Sequence, residues 1–365
     1  MQFDFFPSRA LTIYLGKLFV VRILAVLLML VLILQTLDLL SQSGDILAYE
    51  GNGESELWQY ISLRAPQLVA RFLPYSVLLA TIITLATLNQ NSEVISMKAA
   101  GMSAHQVLAP LLLVAALVSA ATFAFTETVV VRGNATLKAW KASDYGPIPG
   151  DTGIRSNLYL TDGSDIMTAA TVTGSGADTR MTDVTWYDRD DRGMITRQAR
   201  AATATYASPG WQLKNVTVFT VETARSVSRE TLVVAPRVTP AQVAIDSVDP
   251  DTMTFAELGS AIDAMEAAGR RTGELRAKWW HKMSGPLAAF LMPLLGAVAA
   301  FGLARAGQLF LRAVIGMALG FAYFVVDNAA LAMGSFGGYP PFLAAWSPFL
   351  LFALIGETVL IRTEE

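Results

Sequence analysis

Hydrophobic and polar positions divide this chain into apolar stretches at both ends and a different pattern in the middle. A transmembrane helix needs about 20 mostly apolar residues, and six stretches reach or approach that length with few charges. They lie at about 18–40, 72–88, 107–125, 283–304, 313–333 and 342–361. The pattern predicts six transmembrane helices, three before the middle section and three after it.

The middle section alternates between polar and apolar residues over short distances. From about 151 to 240, runs rich in β-branched residues recur about every ten positions between turn residues, which is typical of an all-β sandwich or barrel. Helical spacing resumes at Phe255 and ends at Gly269. Open strand edges are excluded from lipid, so we expect the β-block outside the membrane. Its inward-facing alternate residues are expected to include Leu158, Leu160, Val216 and Val218.

These elements predict four segments. Residues 1–145 hold three transmembrane helices and a short cytoplasmic helix near 92–102, and residues 146–250 form the β-domain. Residues 251–282 form a helical connector outside the membrane, and residues 283–365 hold the last three transmembrane helices. The fold class is therefore an α-helical membrane protein with an inserted all-β domain.

Basic residues in the short loops favour cytoplasmic N- and C-termini. In that orientation the short outer loops carry only Arg64 and Arg71. A basic cluster at 270–282 would favour the opposite orientation, but it belongs to a long domain, and long domains count less in this rule. The first stretch is too long for a signal sequence and ends without a small-residue cleavage site, so we interpret it as a retained anchor. The cytoplasmic segments then carry Arg9, Lys17, Arg22, Lys98, Arg305, Arg312 and Arg362.

The composition supports a membrane protein and excludes several kinds of binding site and catalytic site. Only 16% of the residues are charged, against about 25% in soluble proteins, and the formal charge of −3 lacks the basic excess of a nucleic-acid binder. The chain has no cysteine, which excludes disulfides and thiolate metal sites. A phosphate-binding loop requires Ser or Thr directly after its Gly-Lys pair. The Gly-Lys pair of this chain, Gly16-Lys17, is followed by Leu18, so the chain is not expected to hydrolyse ATP. We predict no metal and no cofactor.

Two acidic residues near the ends of predicted spans, Asp38 and Asp327, raise the alternative of an intramembrane hydrolase or an enzyme that modifies the cell envelope. Neither has the Gly-x-Gly-Asp context expected of intramembrane aspartyl proteases, so a structural or cavity-lining role is favoured. The histidines, His105 and His281, fall on opposite membrane faces in the predicted topology. They are interpreted as interface residues rather than a metal pair. A membrane-tethered scaffold is a third hypothesis.

The predicted cytoplasmic loop at 89–103 contains a short helix signal. Ser92 is a candidate N-cap, Glu93 is an acid in the first turn and Gly101 is a C-terminal stop. Val94, Met97 and Met102 fall on one side. The helix is either an interfacial linker or a coupling helix that docks into a cytoplasmic ATPase, with Glu93 paired to an arginine of that partner.

The run at 92–103, Ser-Glu-Val-Ile-Ser-Met-Lys-Ala-Ala-Gly-Met-Ser, closely resembles the coupling-helix signature of the LptF/LptG family, the permeases of lipopolysaccharide export. The resemblance covers the chain in order, and the opening is closer to the LptG side of the family. Further matches are Tyr14-Leu15-Gly16-Lys17, Gly210-Trp211-Gln212-Leu213, Pro286 and Phe324-Val325-Val326-Asp327.

The resemblance implies a permease in the inner membrane of a Gram-negative bacterium, with a β jelly roll in the periplasm. Such a subunit extracts lipopolysaccharide and passes it through a jelly-roll bridge toward the outer membrane. The implied partners are an LptB-type ABC ATPase homodimer, an LptF-type second six-span permease, an LptC-type membrane-anchored jelly-roll protein and an LptA-type bridge protein.

The resemblance also implies site residues. The residues that couple to the ATPase would be Glu93, Val94, Met97, Lys98, Ala100, Gly101 and Met102. The lipid cavity would lie near Gln35, Asp38, Phe321, Phe324 and Asp327, and Lys138 and Lys141 resemble basic headgroup contacts. Some relatives carry lysines late in span one, where this chain has Gln-Thr-Leu-Asp-Leu-Leu-Ser-Gln at 35–42.

Overall fold

The computed structural model describes residues 6–147, 155–174, 178–190, 193–240, 243, 248–267, 270–301 and 309–362. The chain forms two compact units. The first, here called the helical unit, comprises Met1–Asp38, Ala65–Val130 and Arg271–Glu365. The second, here called the β-unit, comprises Leu39–Arg64 and Val131–Arg270.

Helices occupy both ends of the chain. Those before the strands are α1 (Arg9–Ala48), α2 (Glu54–Gln90), α3 (Glu93–Ala99) and α4 (Ala104–Phe125), followed by a π-helical turn (Thr126–Val130) and α5 (Val131–Ala142). Those after the strands are α6 (Phe255–Ala267), α7 (Gly273–Phe301), α8 (Leu309–Ser335) and α9 (Pro341–Arg362).

Within the described residues, five helical stretches are long and apolar enough to cross a membrane. They contain the predicted spans one, two, three, five and six, which the structure confirms as apolar helices. The predicted span four falls in α7, which is helical up to Phe301, beside residues 302–308 that are not described. Its role as a sixth span stays a prediction. The five stretches are Arg9–Ala48, Glu54–Gln90, Ala104–Ala142, Val314–Ser335 and Pro341–Arg362.

The core of the helical unit is formed by buried apolar side chains of α1, α2, α3, α4, α7, α8 and α9. On α1, the side chains of Leu15, Phe19 and Ile23 recur every four residues and are almost completely buried, as expected for one face of an α-helix. Gly296 permits a close approach of α7 to α2, because a Cβ there would lie 2.7 Å from Thr81. The opposite face of α1 exposes leucines, including Leu24, Leu28 and Leu32, as expected of a surface that faces lipid.

The β-unit contains an antiparallel sheet in which each strand pairs with its neighbours in sequence. In the described part of the chain this sheet has six strands in the order β1-β2-β3-β4-β5-β6. The predicted β-block is thus confirmed as a β-sheet, and its two-layer jelly-roll arrangement stays a prediction. The strands are β1 (Arg155–Asp162), β2 (Asp165–Thr173), β3 (Arg180–Arg189), β4 (Ile195–Tyr206), β5 (Trp211–Thr220) and β6 (Arg225–Val234).

The apolar core of the β-unit lies on one face of this sheet. Leu158, Leu160 and Val216 are at most 2% exposed, and Val218 is packed against them, so all four predicted inward positions contribute to the core. The indole N–H of Trp211 donates to the carbonyl oxygen of Val238 at 2.9 Å, which satisfies a buried polar atom.

The helix predicted after the β-block is α6, and it begins at Phe255 as expected. A reciprocal pair of hydrogen bonds between Thr254 and Glu257 caps it, which satisfies backbone donors at the start of a helix. The predicted end at Gly269 lies outside the described residues.

Candidate functional site

The short helix α3 is flanked by two residues with left-handed backbone conformation, Ser92 before it and Gly101 after it. At its C-terminus Gly101 has φ 85°, its N–H donates to Lys98 at 3.0 Å, and the N–H of Met102 donates to Met97 at 3.2 Å. This is the glycine-based stop expected from the sequence. Ser92 precedes the helix with φ 57°, and its hydroxyl makes no capping hydrogen bond. Ser92 is therefore the N-cap residue, as predicted, but it caps without its side chain, because side-chain capping requires an extended backbone at that position.

The residues of α3 divide between a buried and an exposed face. Val94 and Met97 are 4% and 9% exposed and belong to the core of the helical unit, with Met102 packed against that core. Those three predicted coupling residues therefore anchor α3. The exposed face carries Ile95, Ser96, Lys98, Ala99 and Ala100, followed by Gly101.

Ile95 was missed by the sequence analysis and is the most conspicuous residue of this face. Its side chain is 65% exposed, the most exposed large apolar side chain of this short helix. The helical period of the sequence could have identified Ile95. It is one position from Val94 and two from Met97, so it lies on the side of the helix opposite to these two buried residues.

Glu93, the acid in the first turn of α3, is held by hydrogen bonds. The hydroxyl of Tyr14 on α1 donates to its Oε2 at 3.1 Å, with Oε1 at 3.4 Å, and the side-chain amide of Asn91 donates to Oε1 at 3.2 Å. The Glu93 carboxylate is thus oriented by α1 and by the loop that precedes α3.

Each histidine meets a carboxylate on another helix of the helical unit. His105 Nε2 on α4 lies 2.9 Å from Glu357 Oε1 on α9. His281 Nε2 on α7 lies 3.0 Å from Asp327 Oδ2 on α8. Both histidines therefore link helices within the helical unit.

The predicted cavity residues of the helical unit have different surroundings. The side-chain amide of Gln35 is buried, and neither its nitrogen nor its oxygen has a hydrogen-bond partner among the described residues. Asp38, one turn further along α1, is half-buried. On α8, Phe321 is exposed, whereas Phe324 stacks on Tyr75 of α2 with ring centroids 4.0 Å apart.

The two lysines predicted as headgroup contacts lie in the β-unit and both have partners there. Lys138 forms an ion pair with Asp249, and Asp251 lies 3.8 Å away. Lys141 donates to the side-chain oxygen of Gln42 at 3.0 Å and lies over the ring of Tyr60. Anionic ligands at these lysines would therefore compete with partners from the chain itself.

Comparison with known proteins extends over nearly the whole chain. The profile of the family described as "Lipopolysaccharide export system permease LptF/LptG" matches residues 13–362. The permease protein LptG of Escherichia coli K12 is 26% identical over 365 residues, which cover 98% of this chain and 99% of that protein. LptG of Haemophilus influenzae is 24% identical over 366 residues, covering 96% and 98%.

Proposed function

Because the chain belongs to the LptF/LptG family of lipopolysaccharide export system permeases, we propose that it is a transmembrane subunit of an ATP-driven exporter. In this role it extracts lipopolysaccharide from the inner membrane and passes it along a periplasmic bridge of β jelly rolls, one of which is its own β-unit. Six spans cross the membrane and both termini lie in the cytoplasm. Membership in a permease family favours this role over the hydrolase that would use Asp38 or Asp327.

The exposed face of α3 is the observation that carries the proposal. A chain without a phosphate-binding loop needs an external source of energy, so it requires a surface on which an ATPase can act. The helix α3 offers an isolated apolar side chain, Ile95, beside Lys98, while Val94 and Met97 fasten the helix to the core. Because α3 is anchored, a force applied by the ATPase moves the helices around it.

Polar groups on α1 and α8 support a path for the lipid headgroup. A buried amide without a partner is costly in apolar surroundings, so Gln35 favours a ligand with polar groups. Asp38, Phe321, Phe324 and Asp327 lie on the same two helices. The remaining partners are a second permease of the LptF type, a membrane-anchored jelly-roll protein and a bridge protein.

The test is co-purification of the cytoplasmic ATPase with the full complex, together with lipopolysaccharide-stimulated ATP hydrolysis in proteoliposomes. Ile95→Asp places a charge at the centre of the exposed face of α3, and Glu93→Ala removes its carboxylate. Both variants should lower ATPase recovery and stimulation at least several-fold. Ile195→Asp, which changes a 45% exposed isoleucine of β4, serves as the control and should behave as wild type. Normal recovery and stimulation in both α3 variants would disprove the docking surface.

A further inference from the structure

The pair formed by Tyr14 and Glu93 connects α3 to α1 across 79 positions of the chain. We propose that Tyr14 is a positioning residue that transmits the movement of α3 directly to α1. This inference rests on the proposed function and adds a route by which nucleotide-driven motion reaches the helix that carries Gln35 and Asp38.

Apolar packing places Tyr14 beside α3. The next residue, Leu15, is completely buried in the cluster that also contains Phe19, Val94 and Met97. Apolar packing is not directional, whereas a hydrogen bond to a carboxylate adds a preferred distance and orientation. The hydroxyl of Tyr14 therefore supplies the directional link between two elements that already touch.

The Glu93 carboxylate has the capacity to serve both α1 and an ATPase. Its two oxygens offer about four acceptor positions, and Tyr14 and Asn91 use part of them. An arginine from the ATPase can bind the remaining positions without displacing the tyrosine. Tyr14 then holds the carboxylate in one orientation for that partner and moves with it.

The helix α1 is well suited to carry such a movement. It is continuous over 40 residues and contains no proline, and Tyr14 and Gln35 are separated by about 31 Å at 1.5 Å per residue. The helices joined covalently to α3 are less regular, since α2 contains Pro66 and Pro74 and α4 contains Pro110. Because proline interrupts helical hydrogen bonding and favours kinks, α1 is the stiffer route from α3 toward the cavity residues.

The test uses Tyr14→Phe, which removes the hydroxyl and keeps the ring, in the full complex with lipopolysaccharide. The ATPase should still co-purify, while the ratio of lipid-stimulated to lipid-free ATP hydrolysis should fall at least threefold. In a Glu93→Ala background the Tyr14 substitution should have no further effect, because Tyr14 acts through Glu93. Tyr49→Phe, at a tyrosine 39% exposed, is the control and should keep the wild-type ratio.

A second readout measures the link itself. In this chain, which has no cysteine, spin labels are attached at Leu28→Cys on the exposed face of α1 and at Gln90→Cys, an exposed position at the end of α2 three residues before α3, in complexes whose partner subunits carry no accessible cysteine. The distance between these labels should stay constant on ATP binding in the parent and shift or broaden with Tyr14→Phe.

The results of these experiments distinguish a failure of this inference from a failure of the proposed function. If Glu93→Ala lowers ATPase recovery but Tyr14→Phe keeps the wild-type ratio and label distance, only the role of Tyr14 is overturned. The role of Tyr14 is also overturned if the effects of Tyr14→Phe and Glu93→Ala on the ratio are additive in the double variant. If ATPase recovery and stimulation are normal in both Glu93→Ala and Ile95→Asp, the proposed docking surface itself is overturned.

Discussion

The imidazole of His281 on α7 lies 3.0 Å from the carboxylate of Asp327 on α8, and the Asp327 side chain is only 11% exposed. The adjacent residue on α7, Lys282, lies 3.9 Å from Glu127 in the π-helical turn. Buried carboxylates are stable in apolar surroundings only when they are paired or hydrogen-bonded. Successive residues of α7 thus connect that helix to two other parts of the helical unit.

Removal of the Asp327 carboxylate should destabilise the helical unit. Asp327→Ala leaves His281 without this acceptor, at a cost of about 1–3 kcal/mol, whereas Asp327→Asn retains an acceptor oxygen and should cost less. Thermal unfolding in detergent, followed by tryptophan fluorescence, measures both. Asn328→Ala is a suitable control, because the exposed Asn328 amide bonds only to Phe324 of its own helix in the described structure. Equal melting temperatures for wild type and Asp327→Ala would contradict the expectation.

Asp249 should compete with the lipid for Lys138. Asp249→Ala frees the ammonium group, so the affinity of the full complex for lipopolysaccharide should rise about two- to fivefold, the range expected for a partly exposed ion pair. Asp251→Ala should have a smaller effect, because this carboxylate is 3.8 Å from Lys138 and 69% exposed. Lys138→Ala should weaken binding. Binding is measured by titration with fluorescent lipopolysaccharide, and unchanged affinity in Asp249→Ala would exclude the competition.

Gln35 should contribute to transport at the expense of stability. Gln35→Leu replaces a buried amide that has no partner in the described part of the chain, so it should stabilise the protein by about 1–3 kcal/mol while lowering lipopolysaccharide release. Thr36→Leu changes an exposed neighbour whose hydroxyl bonds to Leu32 of the same helix, and it should alter both properties little. A Gln35→Leu protein with normal transport would show that the amide is not part of the lipid path.

Gly101 should be required for the end of α3 because of its backbone conformation alone. A Cβ at this position would meet no atom within 4 Å, but φ is 85°, so Gly101→Ala should cost about 1–2 kcal/mol. Gly44→Ala in α1 also adds a Cβ in open space, yet its conformation is helical and the change should stabilise by about 0.5–1 kcal/mol. Hydrogen exchange of residues 93–102 should accelerate only in Gly101→Ala. Unchanged exchange there would refute the strain argument.

Much of the architecture follows from local patterns. The β-branched runs between about 151 and 240 predicted the block that contains β5, observed at Trp211–Thr220, and the helical spacing from Phe255 predicted α6. Both predictions succeed because burial on one side of an element imposes its period on the sequence. The same reasoning identified Val94 and Met97 as one face of α3, but it did not tell which face meets the core and which meets a partner.

Hydrophobic periodicity alone therefore determined that this chain is a helical membrane protein with a β-block between two helical halves, and the glycine after α3 determined where that helix ends. Only the tertiary structure decided the polar partnerships. Tyr14 and Glu93 are 79 positions apart, His281 and Asp327 are 46 apart, and Lys138 and Asp249 are 111 apart. Such pairs depend on how separate elements pack against one another, and periodicity within each element carries no information about that packing.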